Sequence, residues 1–213
     1  MFYTSFYEAS KTGTPVIKPV FYENKHNADS YAIDDEFFIG NSGLLVKPVT
    51  DEGAKEIEFY LPDDKVYYDF TNGVLQGVYK GGKKPVQLSD IPMLLKGGSI
   101  IPMKTRYRRS SKLMKSDPYT LVIALDEEGS ASGKLYVDDG ETFAQGTEVI
   151  FTVDNNIINA KKIGPTASIS FEKIIIASKD QTTTLNNPKL DINLDWSLPF
   201  SFDSHRKIEH DEL

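Results

Sequence analysis

The sequence predicts a mainly β protein of two β-sandwich domains, preceded by one helix and one extended segment. Three observations carry this. From Phe37 onward, short β-branched and aromatic runs recur between Gly, Pro, Asn and Asp, the texture of strands and turns in a sandwich. A polar stretch at 104–118 divides these runs into two groups. Before them, residues 2–12 carry a helical period: Phe2, Tyr3, Phe6, Tyr7 and Ala9 fall on one face and Gly13 follows as a stop.

Taken in order, the helix is followed by a run at 15–22 that is β-branched and aromatic but holds Pro15 and Pro19, which suits an extended segment outside the middle of a sheet. Strands are then expected at 37–40, 43–49, 56–61, 66–70, 91–95 and 99–103. The second group comprises 119–125, 133–137, 148–153, 157–160, 168–171, 173–177 and an apolar stretch at 194–202. Within it, Asp138-Asp139-Gly140 is a hairpin signal. The resulting division is 1–35, 36–103, 104–203 and a charged tail at 204–213. The aromatic helix face needs a partner, which is expected to lie outside this chain, so residues 1–35 are expected to be a sticky, poorly ordered appendage unless they fold back onto the first sandwich.

The chain has 213 residues, is 39% apolar and 26% charged, and carries a net charge of −7. This is ordinary globular composition. Binding nucleic acid needs a concentrated basic face, whereas the one basic cluster, Lys104-Thr105-Arg106-Tyr107-Arg108-Arg109, is short and reads as a solvated loop. No apolar run approaches the roughly 18 to 20 residues that span a bilayer. Cysteine is absent, which removes disulfides, zinc-thiolate sites and thiol nucleophiles.

The chain ends in His210-Asp211-Glu212-Leu213. This tetrapeptide is an address read by a retrieval receptor, and it places the protein in the lumen of the endoplasmic reticulum. Residues 1–8 have neither the basic leader nor the apolar core of a signal peptide. An address without a leader implies that the natural N-terminus lies upstream.

Catalytic chemistry is harder to find. His205 and His210 lie in the tail and His26 in a polar loop, so no histidine is placed to orient a nucleophile or to share a metal. Gly81-Gly82 and Gly97-Gly98 lie between β runs and read as turns. Asp34-Asp35-Glu36 reads as a surface turn, because neighbours in an extended segment point to opposite faces. Asp138-Asp139-Gly140-Glu141 lacks the alternating ligands of a calcium loop. No catalytic, cofactor-binding or metal-binding residue is assigned, and no cofactor is expected.

Several segments resemble glycoside hydrolase family 31. Residues 6–20, from Phe6-Tyr7-Glu8-Ala9 to Lys18-Pro19-Val20, are similar to the last helix-to-strand passage of its catalytic barrel. Residues 33–40 with 44–49 resemble the entry into its proximal β-sandwich, and Ile91-Pro92-Met93-Leu94-Leu95-Lys96-Gly97-Gly98-Ser99-Ile100-Ile101-Pro102 is similar to its sandwich motif. Arg108-Arg109-Ser110-Ser111, residues 114–121 and residues 135–143 are most similar to the branch that trims N-linked glycans in the endoplasmic reticulum. The resemblance implies a (β/α)8 barrel whose remnant is residues 1–35, with proximal and distal sandwiches after it. It also implies a retaining α-glucosidase acting on α-1,3-linked glucose through two aspartates, with no cofactor. Both aspartates belong to barrel segments upstream of residue 1, so the chain itself is expected to be inactive. The implied partners are an N-glycan oligosaccharide, a regulatory β subunit and the retrieval receptor. Two departures stand out: this chain carries its own retention address, where the branch commonly relies on its β subunit, and Lys18 stands where the family usually has arginine. The alternative class is a non-catalytic carbohydrate-binding or structural module, with Tyr67, Tyr68, Tyr79 and Tyr107 as candidate sugar-stacking rings.

Overall fold

A computed structural model of the chain describes residues 1–71, 73–142, 144–165, 169–188, 190 and 195–202. The C-terminal tetrapeptide His210 to Leu213, read above as a retention address, lies outside the described residues. The chain divides into two compact units, Phe2–Gly97 and Gly98–Leu213.

The first unit opens with helix α1 (Phe2–Thr12), which Gly13 closes with its amide on the Ala9 carbonyl and a φ of 73°. Strands β1 (Ile17–Pro19), β2 (Phe37–Ile39), β3 (Leu44–Val46), β4 (Glu56–Ile57), β5 (Tyr67–Thr71), β6 (Val74–Val78), β7 (Lys84–Pro85) and β8 (Met93–Lys96) follow. Six of them form an antiparallel sheet in the order β1-β2-β3-β8-β5-β6, while β4 and β7 pair separately. The core gathers Val20, Phe38, Leu45, Phe59, Tyr67 and Leu94.

Of the two arrangements expected for residues 1–35, the structure shows the folded-back one: β1 pairs with β2 from Ile17↔Ile39 to Pro19↔Phe37, and Val20 is fully buried. As the edge strand of the sheet, β1 tolerates a proline that a central position would not. The aromatic helix face does not pack inward. Thr4 and Ser5 are buried, whereas Phe2, Tyr3 and Phe6 are about half exposed. Ser5 lies under Gly40, where a Cβ would come within 2.4 Å of its hydroxyl. The small residues of α1 thus permit the close approach, and the rings point away.

The second unit contains β9 (Ser99–Met103), β10 (Tyr119–Ala124), β11 (Ala131–Val137), β12 (Thr147–Asp154), β13 (Ile157–Ile163), β14 (Phe171–Ala177), β15 (Thr182–Asn186) and β16 (Trp196–Pro199). They form one sheet in the order β15-β14-β10-β9-β11-β12-β13-β16. On a flat sheet β12 and β14 would stand four inter-strand steps, about 19 Å, apart. Yet the Phe151 ring of β12 meets the Phe171 ring of β14 at 5.9 Å, and Trp196 of β16 lies 6.2 Å from Phe171. The sheet therefore doubles over, and its two arms enclose the core of Leu121, Ile123, Leu135, Val149, Phe151, Ile158, Ile174 and Ile176. The fold line is the single bridge Ser132↔Ser99 between β11 and β9. Strand β10 is central, flanked by antiparallel β9 and parallel β14, and Leu121 to Ala124 are all fully buried. A continuous apolar run is what a strand covered on both faces requires.

Residues 99–103, read from the sequence as the end of the first domain, pair along their length with β10. The hydrogen bonding changes sheets inside the glycine pair: Gly97 donates to Val66 and Gly98 to Ala124. The tight hairpin also lies elsewhere than the Asp-Gly signal. Asn155 and Asn156, with φ of 49° and 58°, join β12 to β13 in two residues, the geometry that the right-handed strand twist favours. Asp138-Asp139-Gly140 does lie between paired β11 and β12, but as the start of a longer loop reaching Thr147.

Candidate functional site

The described residues hold three polar constellations. The first is the Asp35-Glu36 pair with Lys47. Read as a surface turn, it is only half that. Asp35 is part exposed, but the Glu36 side chain is wholly buried, because it precedes β2 on the same face as Phe38. The Glu36 Oε1 accepts the Tyr60 amide at 3.0 Å. Its Oε2 has no hydrogen bond and lies 3.5 Å from Lys47 Nζ, which donates to Asp35 Oδ2 at 2.6 Å instead. Burial outweighs the lysine's attraction and pushes the Glu36 carboxyl up to about 7. The alternation 36, 38 carried this signal; it was hidden by the charge of the neighbouring aspartates.

The second constellation runs from β1 to β8. Lys18 Nζ donates to Glu23 Oε1 at 2.9 Å and to Asn41 Oδ1 at 3.0 Å. Asn41 in turn donates to Glu8 of α1. Lys96 bridges Glu23 and Asp63, at 3.4 and 2.6 Å, and Asp63 accepts from the Tyr67 hydroxyl. Burial pushes the Tyr67 phenol upward, so it stays a donor. Two ammonium groups thus face the carboxylates of Glu23 and Asp63 directly and that of Glu8 through Asn41. This network ties α1, β1, β5 and β8 together, and each charge is spent on a neighbour rather than on a reactant.

The third lies in the second unit. A cleft of about 410 Å³ is lined by Lys115, Ser116, Asp138, Gln145 and Thr147, among others. The Asp139 carboxylate caps its own loop, accepting the Glu141 and Thr142 amides and the Thr142 hydroxyl, which hold it down at about 2. Beside it, the basic cluster is a braced loop. Lys104 Nζ donates to the carbonyls of Met114 and Lys115, and Arg108 grips Asp117 with two bonds of 2.9 and 2.7 Å.

The four candidate sugar-stacking rings separate sharply. Tyr67 and Tyr68 are core residues, and Tyr79 is partly buried with its hydroxyl on the Gly82 carbonyl. Of the four, Tyr107 alone is open, at 95% exposure. Among the described residues no group of three or more histidines and carboxylates gathers to hold a metal, and no helix is long and apolar enough to cross a membrane.

Residues 13–101 match the profile of the glycosyl hydrolase family 31 C-terminal domain. The chain belongs to that family through this domain. Among curated relatives it is 45% identical, over 166 residues, to the glucosidase 2 subunit alpha of Saccharomyces cerevisiae, covering 73% of this chain and 17% of that protein. It is 37% identical over 213 residues to a probable glucan 1,3-alpha-glucosidase of Oryza sativa subsp. japonica, covering 91% of this chain and 23% of the relative. A crystal structure of an ER glucosidase II complex, comprising the catalytic subunit and the binding domain of the regulatory subunit, superposes with a TM-score of 0.83 at 32% identity. That match covers 94% of this chain and 27% of the solved one. The chain thus spans about a fifth of the length of the curated relatives it matches.

Proposed function

We propose that this chain is the C-terminal part of the catalytic α subunit of an endoplasmic reticulum glucosidase II, an α-glucosidase that removes α-1,3-linked glucose from N-linked glycans. The reaction is a retaining displacement by two aspartates, carried on barrel segments outside these residues. Residues 1–35 are the last helix and strand of that barrel, the proximal and distal sandwiches follow with their boundary at Gly97-Gly98 rather than after residue 103, and 204–213 are a tail whose His210-Asp211-Glu212-Leu213 retains the enzyme in the lumen. A regulatory β subunit is the expected partner. The observation that carries this reading is the 45% identity to the yeast α subunit.

The role of the chain is then architectural. Among the described residues the charges of the network from β1 to β8 are bound to one another, and Glu36, though its carboxyl is raised, has no face open to a substrate. The test is a graft. The matching C-terminal stretch of the yeast α subunit is replaced by residues 1–213, and glucose release from an α-1,3-linked disaccharide is measured. An active chimera is the expected outcome. A soluble, folded chimera without turnover would count against the assignment.

A further inference from the structure

The loop that leads from β9 to β10 carries Arg106-Tyr107-Arg108-Arg109-Ser110. Endoproteases that read paired basic residues line their subsites with carboxylates and take arginine at the first, second and fourth positions before the cut bond. Here Arg109, Arg108 and Arg106 occupy those positions. Residues 105–113 are all exposed, and among the described residues 105–109 make no backbone hydrogen bond. An exposed, irregular strap of this kind is what a protease cleft can bind in extended form.

We propose that this loop is a latent processing site, cut between Arg109 and Ser110 by a serine endoprotease specific for paired basic residues. Water adds across the amide: the C–N bond breaks, Arg109 acquires a carboxylate and Ser110 an ammonium group. Latency comes from two ion pairs. Arg108 lies in the bidentate grip of Asp117, whose side chain is 5% exposed. Arg106 Nε and Nη2 reach Glu172 Oε2 at 3.2 and 2.8 Å. Arg109 has no ion pair among the described residues and stands free to enter the first subsite. A protease must exchange the Asp117 and Glu172 carboxylates for its own, so the rate follows the population of the opened loop.

Cleavage nicks the chain without separating its pieces. Strand β9 stays on the first fragment and β10 on the second, joined by five paired positions from Thr120↔Met103 to Ala124↔Ser99, with Ile100 and Ile101 buried. Meeting such a protease in a cell rests on the secretory-pathway reading above. The accessibility of the site does not.

The test uses the purified 213-residue chain and a purified subtilisin-type convertase that requires Arg-X-Arg-Arg, with a peptide of residues 104–113 as control. A single cut with a new N-terminus at Ser110 is expected, with an unchanged native size and two bands on a denaturing gel. Arg109→Gln should abolish the cut, and Asp117→Asn and Glu172→Gln should each speed it several-fold. Intact protein beside cleaved peptide, or cutting that survives Arg109→Gln, overturns the proposal. Wild-type rates in both carboxylate variants overturn the latch. Glu172→Gln guards against a folding defect in Asp117→Asn, since Glu172 is only partly buried.

Discussion

Replacing Glu36 with glutamine should change how stability depends on pH. In the folded chain the carboxyl is raised from 4.5 to about 7 by burial, so the native state holds a proton that the unfolded state releases. A raised acid contributes stability that is fully present below the unfolded value and lost as pH rises through the folded one. The difference between 4.5 and about 7 corresponds to about 3 kcal/mol. Most of that loss should fall between pH 5 and pH 8. The groups facing Glu36 are Lys47, Asp35 and the Tyr60 amide. Glutamine can still accept from that amide but cannot ionise. Urea unfolding followed by circular dichroism at pH 5.5 and 8 measures the effect, while the fluorescence of Trp196, the chain's only tryptophan, reports the second unit separately. Wild type should lose stability in the first unit over this range and Glu36→Gln should lose much less. Parallel pH profiles for the two proteins would refute the reasoning, because they would mean that the carboxyl is already ionised at pH 5.5.

A chain beginning at Asp34 should melt lower and aggregate more than the full chain, since it loses β1 and Val20, whose burial alone stabilises by about 1.5 to 3 kcal/mol; calorimetry and sedimentation decide this, and an unchanged melting temperature would return residues 1–35 to the status of an appendage. Gly133→Ala places a Cβ 2.1 Å from the Ile100 carbonyl oxygen, so it should destabilise the second unit by about 1 to 3 kcal/mol or more. A melting curve like that of wild type would mean that the strands part there at no cost. In a secreted version given a signal peptide, removal of His210 to Leu213 should move the protein from the endoplasmic reticulum to the medium. Full retention in cells without a β subunit would defeat the reading of the tail.

The elements that sequence reasoning found are those whose signal is local. The helix over 2–12, the extended run at 15–22 and strands such as those at 66–70 and 173–177 follow from period and turn residues. What it missed depends on pairing. Nothing in Ser99-Ile100-Ile101-Pro102-Met103 announces that it hydrogen-bonds to residues after the polar stretch, because a strand buried on both faces reads alike in either sheet. Likewise α1 buries Thr4 and Ser5 because Gly40 permits contact there, a fact of tertiary approach that helical periodicity cannot contain. Glu36 was legible and overlooked: its place two residues before Phe38 put it on the inner face. The Asn155-Asn156 turn was a signal of the same kind, two residues that tolerate positive φ between alternating strands.

The parallel pairing of β10 with β14 sets an order of events for folding. The strands β11, β12 and β13 are sequence neighbours that can pair antiparallel one after another, while Leu121 must find Ile174 across all three of them. Closing so long a loop forfeits chain entropy before any contact rewards it. The three-stranded meander should therefore form early and wait, with one side of its apolar surface bare, until β14 arrives beside β10. That interval, rather than the native state, is when the second unit is most in need of a chaperone.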